Sequence, residues 1–270
     1  MLKFTKMNGA GNDFVLFDNR DGAIQLTASV IEKLCDRHRG IGADGVLLLE
    51  KAANGNGAPF RMRYYNRDGG EAEMCGNGAR CFARFANRVA GPSEEILFET
   101  MAGVIRARCL GDSVRLVMSA PRDFLTNRAL EVEGEELTVH SVNTGVPHAV
   151  LFVDDVEQAP VERLGAAIRS HALFAPEGTN VNFIEREGPQ TIAIRTFERG
   201  VEAETLACGT GVVASALVFH RIMEAASPIA VRVRGGDLLH VGFEERAGGF
   251  ENVTLTGPAD FVFDGRIDVS

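Results

Sequence analysis

The sequence predicts an α+β protein of two homologous domains, each a curled, mostly antiparallel sheet around a buried helix. Three observations lead there. Met74-Cys75-Gly76-Asn77-Gly78-Ala79-Arg80-Cys81 is echoed by Ala207-Cys208-Gly209-Thr210-Gly211-Val212, and a long helical pattern follows each. The two cysteines are separated by about half of the 270 residues. Alternating strand patterns bounded by glycine turns fill most of the rest, with about two helices per half.

The repeat extends upstream. Glu71-Ala72-Glu73 precedes the first cysteine and Glu202-Ala203-Glu204 the second, and each follows a strand, Phe60 to Tyr65 or Thr191 to Phe197. Gly11-Asn12-Asp13-Phe14 is echoed more loosely by Thr179-Asn180-Val181-Asn182-Phe183. The halves are expected to be related by a pseudo-twofold, with domains at residues 1–118 and 119–259 joined by Ser119-Ala120-Pro121-Arg122. The strand at about 260–270 is expected to return to the first domain.

In chain order, Lys3 to Met7 and Phe14 to Asp18 read as strands around Gly9-Ala10-Gly11-Asn12. Thr27 can cap a helix whose apolar face is Val30, Ile31, Leu34 and Cys35, which makes Cys35 a core residue. Gly40-Ile41-Gly42-Ala43-Asp44-Gly45 matches a dinucleotide-binding fingerprint by letter but not by context. It follows a helix and enters the strand Val46 to Glu50, the reverse of the required order. Ala52 to Pro59 is a Gly/Asn-rich loop. After the first cysteine turn a helix presents Phe82, Phe85, Ala86 and Val89 and stops at Gly91-Pro92. Cys81 falls inside it, as a packed residue. Ile96 to Met101, Val104 to Cys109 and Val114 to Met118 are strands. In the second half, His140 to Val142 and Ala149 to Val153 flank the loop 143–148, and Val161 to Ala172 is a helix opened by Pro160. Asn180 to Ile184 is a strand. The helix Val212 to Met223 is apolar on nearly all sides and is expected to be buried.

Bulk properties exclude several classes. A net charge of −9 argues against nucleic-acid and anionic-membrane partners, and no apolar run is long enough to span a bilayer. Five cysteines in a chain this long, without a signal-peptide core at Met1-Leu2-Lys3-Phe4, suit a reducing cytoplasm.

Each cysteine turn joins two glycines, which allow close backbone approach, to a helix N-terminus with unpaired N–H groups and positive partial charge. Such a turn can bind a carboxylate and lower a thiol pKa. No Cys-x-x-Cys and no suitably spaced His supports a metal site. A thiol-redox pair stays open, and so do two small residues at tight turns, although the repetition of the whole pattern weighs against the latter. Two thiols suit the inversion of a carbon bearing hydrogen, one acting as base and the other as acid. The N–H groups would stabilise charge developing on the substrate carboxylate. No metal and no cofactor is then needed.

The residues Gly11-Asn12-Asp13-Phe14, His38-Arg39-Gly40-Ile41-Gly42-Ala43-Asp44-Gly45, Tyr65-Asn66-Arg67-Asp68-Gly69, Cys75-Gly76-Asn77-Gly78-Ala79-Arg80-Cys81-Phe82-Ala83, Pro147-His148, Glu198-Arg199-Gly200 and Ala207-Cys208-Gly209-Thr210-Gly211 resemble the diaminopimelate epimerase family throughout. The resemblance implies a cleft between two similar domains and a cofactor-independent conversion of LL-2,6-diaminopimelate to the meso isomer, toward lysine and peptidoglycan. It implies Cys75 and Cys208 as catalytic acid and base, with His148 and Glu198 in support. Gly76, Asn77, Gly209 and Thr210 would hold the carboxylate at the reacting carbon. Asn12, Asn66, Asn180, Glu198 and Arg199 would recognise the substrate's amino and carboxyl groups. A homodimer is implied as well. Many members read Gly-Asn-Pro-His where this chain has Gly145-Val146-Pro147-His148, which leaves Asn143 as a candidate substitute. Gln in some members is Gly45 here. The competing readings are another two-thiol racemase, acting on proline or hydroxyproline, and a thiol-redox or small-anion-binding protein.

Overall fold

A computed structural model describes residues 1–52 and 57–269; residues 53–56 of the Gly/Asn-rich loop lie outside them. The chain divides into two compact units, Met1–Val117 with Gly257–Ser270, and Met118–Thr256.

In the first unit β1 (Leu2–Gly9) turns at Ala10 and Gly11, both with positive φ, into antiparallel β2 (Asn12–Asp18). Helix α1 (Ala28–Cys35) then crosses to β3 (Gly45–Lys51), which lies parallel to β2. Thr27 caps α1 by accepting from the Val30 N–H. The glycine run at 40–45 closes the other end of α1: the Ile41 and Gly42 N–H groups both donate to the Leu34 carbonyl, and that of Ala43 to Cys35. Its glycines serve a helix C-terminus and not a phosphate. Antiparallel β4 (Phe60–Asn66) and the short β5 (Glu71–Ala72) lead to α2 (Gly76–Ala90), then β6 (Ile96–Thr100), β7 (Gly103–Leu110) and β8 (Ser113–Val117). Helix α2 contacts β1–β4 and β6–β8, so the sheet curls around it, while α1 covers the outside. Val15 and Phe17 pack with Ile31 and Leu34 of α1, while Phe14 meets Gly78 of α2. Both sheet faces are thus buried, and β2 and β3 read as continuous apolar runs.

The second unit adds β9 (Arg122–Val132), β10 (Glu135–Asn143), β11 (Pro147–Phe152), α3 (Val161–Arg169) and β12 (Asn180–Gly188). It continues with β13 (Thr191–Glu198), β14 (Ala203–Thr205), α4 (Gly209–Met223), β15 (Ile229–Arg232), β16 (Leu238–Arg246) and β17 (Gly249–Pro258). Last in the chain comes β18 (Asp260–Ile267), which belongs to the first unit and pairs there with β1. Every pairing of the first unit recurs in the second. Parallel β2–β3 answers β11–β12, β4–β5 answers β13–β14, parallel β4–β6 answers β13–β15, and β1–β18 answers β10–β9. Helix α4 is buried along Gly211–Phe219, as its all-round apolar pattern requires.

Four expectations change. Strand β9 begins at Arg122, inside the expected linker, and its positive-φ residues Asp123 and Asn127 interrupt the alternation that would have marked it. The helix after Pro160 ends at Arg169, and only a 3-10 turn at Ala172–Phe174 follows. Helix α4 starts at Gly209, not Val212, because Cys208 is its cap. His148 lies within β11, paired with Val142, and not in the preceding loop.

Candidate active site

Cys75 and Cys208 occupy the same structural position. Each is the extended N-cap residue of a 15-residue helix, and neither side chain is spent on capping it. Their carbonyls accept the first intrahelical bonds, from Ala79 at 2.7 Å and Val212 at 2.9 Å. The N–H groups of Gly76, Asn77 and Gly78, and of Gly209, Thr210 and Gly211, therefore have no acceptor within their own helices. The helix dipole adds positive potential at both sulfurs. Cys81, one turn into α2, is fully buried, and burial pushes its thiol up to about 12; Cys35 is likewise pushed up to about 11. These two behave as packing residues.

Around Cys75 the side chains form a chain of polar contacts. Asn77 donates to the Asn12 Oδ1 at 2.7 Å and accepts from Arg80 at 2.8 Å, while Asn12 donates to Asp44 at 3.0 Å. Arg37 bridges Asp44 and Asp13, and Asp13 also pairs with the buried Lys6 at 2.8 Å. Burial alone would raise the Asp13 carboxyl, but Arg37 and Lys6 outweigh it and hold it at about 2. Arg80, wholly buried, also donates to the carbonyls of Gly9 and Pro258 and so anchors α2. Asn12 and Asn77 are thereby set in fixed orientations. Asn66 is exposed at the end of β4, where the Gly69 N–H donates to its carbonyl.

Around Cys208 the Sγ lies 3.5 Å from the Thr210 Oγ1, which lies 3.0 Å from the His148 Nε2. Burial above all, with the nearby Arg199 charge second, draws the His148 pKa down to about 3, so the ring is neutral. Glu198 is raised above the usual carboxylate range by burial, despite hydrogen bonds from Thr205 and Cys208. Asn180 fastens two segments, accepting from the Arg199 N–H at 2.9 Å and donating to the Pro147 carbonyl at 3.0 Å. The Arg199 guanidinium donates to the Glu177 carbonyl. Asn143 accepts from the Gly145 N–H and so holds its own turn; the turn is tied to α4 through Thr144, which donates to the Thr210 carbonyl.

Sequence reasoning missed Lys6, Asp13, Asp44 and Arg80, as well as Asn182 and Thr196. A signal existed for Asn182: asparagines at 180 and 182 share one face of an apolar strand, where an amide needs a polar partner. Thr196 sits opposite Asn182 in the ladder and donates to its Oδ1 at 3.0 Å.

A curled sheet around a helix whose N-cap residue is a cysteine is built twice in this chain. In fold the chain is similar to a phenazine biosynthesis protein of the PhzF family from Bacillus anthracis (TM-score 0.73, 15% identity, 98% of each chain). It is also similar to a hydroxyproline epimerase from Agrobacterium vitis with bound trans-4-hydroxy-L-proline (TM-score 0.69, 18% identity, 98% of this chain and 91% of that one). The diaminopimelate epimerase family model matches residues 4–122 and 140–262. Diaminopimelate epimerases of Aquifex aeolicus (41% identical, 98% of each chain) and Chlorobaculum tepidum (43%, 97% of this chain and 99% of that one) align over nearly the full length. The chain belongs to the diaminopimelate epimerase family and is an isomerase.

Proposed function

We propose that this protein epimerises LL-2,6-diaminopimelate to the meso isomer without a cofactor, with Cys75 and Cys208 acting on opposite faces of one α-carbon. The observation that carries this is the repeated placement of a thiol at the N-terminus of a buried helix, free of capping duty. One sulfur, as thiolate, takes the α-proton: a C–H bond breaks and an S–H bond forms. The other thiol delivers its proton to the opposite face, and the negative charge ends on that second sulfur. Between these events the carbanion's charge spreads onto the adjacent carboxylate, where the N–H groups of Gly76, Asn77, Gly209 and Thr210 stabilise it. Glu198, neighbouring Cys208 and with its pKa raised, can exchange a proton with that thiol. Arg199 would grip the distal carboxylate. The cytoplasm, a homodimer and a place in lysine and peptidoglycan precursor synthesis complete the reading. Among the described residues no helix is long and apolar enough to cross a membrane.

The test is α-proton exchange in deuterated water. Diaminopimelate should gain deuterium at the inverted carbon on epimerisation, with proline and lysine inert. Loss of that exchange in neither Cys75→Ala nor Cys208→Ala would end the proposal. Faster turnover of proline than of diaminopimelate would favour the proline-type racemase.

A further inference from the structure

The hydrogen bonds behind Cys208 have only one consistent direction. The Asn182 side chain is completely buried, and its Nδ2 lies 2.9 Å from the Ala149 carbonyl, which can only accept. Its Oδ1 accepts from the Thr196 hydroxyl at 3.0 Å, so the amide orientation is fixed at both ends. The second Nδ2 hydrogen then points at the His148 Nδ1, 3.2 Å away. A neutral imidazole that accepts at Nδ1 carries its proton on Nε2. That N–H faces the Thr210 Oγ1 at 3.0 Å. Because the Thr210 Oγ1 accepts from His148 and the Cys208 thiol is hydrogen-bonded to Glu198, the hydroxyl hydrogen of Thr210 is available to the Cys208 sulfur 3.5 Å away.

We propose that Asn182 is a positioning residue, which fixes His148 as an Nε2–H donor so that His148 and Thr210 stabilise the Cys208 thiolate and His148 never acts as its base. This rests on the reading of Cys208 as an acid/base thiol. Glu198 is left as the group that takes the thiol proton, and Arg199 is the other charged side chain acting on His148.

Two further observations support it. A Cβ on Gly211 would lie 2.4 Å from the Asn182 Oδ1, so the second glycine of the cysteine turn makes room for this amide. The other unit dispenses with the relay. Aligning parallel pairs β2–β3 and β11–β12 places Phe14 opposite Gly45 as His148 is opposite Asn180, and Leu47 opposite Tyr64 as Asn182 is opposite Thr196. The positions of His148, Asn182 and Thr196 are therefore filled by Phe14, Leu47 and Tyr64. The first unit builds the same strands with buried Phe14 and Leu47 in place of the imidazole and the amide, so the fold does not need the polar set near Cys208, which answers to chemistry and makes the two thiols inequivalent.

The experiment is ¹⁵N-histidine NMR of the full-length protein with steady-state kinetics. Wild type should show His148 as the Nε2–H tautomer, not titrating over the pH range of activity. Asn182→Asp, which places an acceptor beside Nδ1, should convert it to the Nδ1–H tautomer and lower kcat about tenfold or more with KM little changed. Thr210→Val should lose activity similarly and Thr210→Ser should restore it, which keeps the test decisive if Asn182→Asp does not fold. A wild-type Nδ1–H tautomer, a His148 titration that tracks activity, or full kcat in Thr210→Val would overturn the proposal. Turnover in Cys208→Ala with an Nε2–H His148 would instead overturn the acid/base reading while leaving the tautomer assignment standing.

Discussion

The two Gly-x-Gly turns look interchangeable in sequence, yet alanine should have opposite effects at their second glycines. A Cβ on Gly78 would meet nothing closer than the Phe14 ring at 3.5 Å, an ordinary contact. Gly78→Ala should therefore leave stability unchanged or raise it by up to about 1 kcal/mol, the helix preference of Ala over Gly. A Cβ on Gly211 would lie 2.4 Å from the Asn182 Oδ1 and 3.4 Å from the Cys208 Sγ and Cβ. Asn182 is completely buried and held at both ends of its amide, and shifting it weakens its bonds to Thr196, Ala149 and His148. One buried bond compromised costs about 1–3 kcal/mol, against about 1 kcal/mol gained in helix preference. Gly211→Ala should thus be destabilised by a net of up to ~2 kcal/mol, and its kcat should fall. Urea unfolding monitored by circular dichroism, with turnover measured on the folded fraction, reads both effects. Equal stability of the two variants, or wild-type kcat in Gly211→Ala, would refute the packing argument.

Cys75→Ala and Cys208→Ala should each fold and lose at least about a thousandfold in kcat, while Cys35→Ala keeps its turnover; a coupled epimerisation assay distinguishes them. Arg199→Met should depress kcat/KM for diaminopimelate about tenfold to a hundredfold through the lost distal-carboxylate grip, and unchanged kcat/KM would count against that role. The Asp13 carboxyl, ordinarily near 3.8 and held at about 2, favours the folded state above pH ~4. That contribution, about 1–2 kcal/mol after allowance for solvent screening, disappears as the pH falls from ~4 to ~2. Asp13→Asn should flatten the acid limb of the stability profile and, by leaving the buried Lys6 without its carboxylate, lower stability at neutral pH.

The sequence by itself determined the repeat, most of the elements and the placement of a cysteine ahead of each Gly-x-Gly turn. A cysteine followed by two glycines and a helix is a local pattern, and its recurrence with the same acidic tripeptide and preceding strand marks two copies of one unit. Periodicity also placed Cys35 and Cys81 in the core, where they are 6% and 0% exposed. Strand β9 was not legible because its bulged residues break the period of two that a sequence reader relies on.

Only the tertiary structure decided what surrounds each thiol. Lys6, Asp13, Arg37 and Asp44 are ordinary charges in sequence; pairing of β1, β2 and β3 with the end of α1 brings them into one network beneath Asn12 and Asn77. His148, Asn182, Thr196 and Thr210 come from β11, β12, β13 and α4, and their order in the chain says nothing of who donates to whom. Hydrogen-bond direction is a property of complete networks: it took the Ala149 carbonyl and the Thr196 hydroxyl to orient Asn182, and Asn182 to decide which nitrogen of His148 holds the proton.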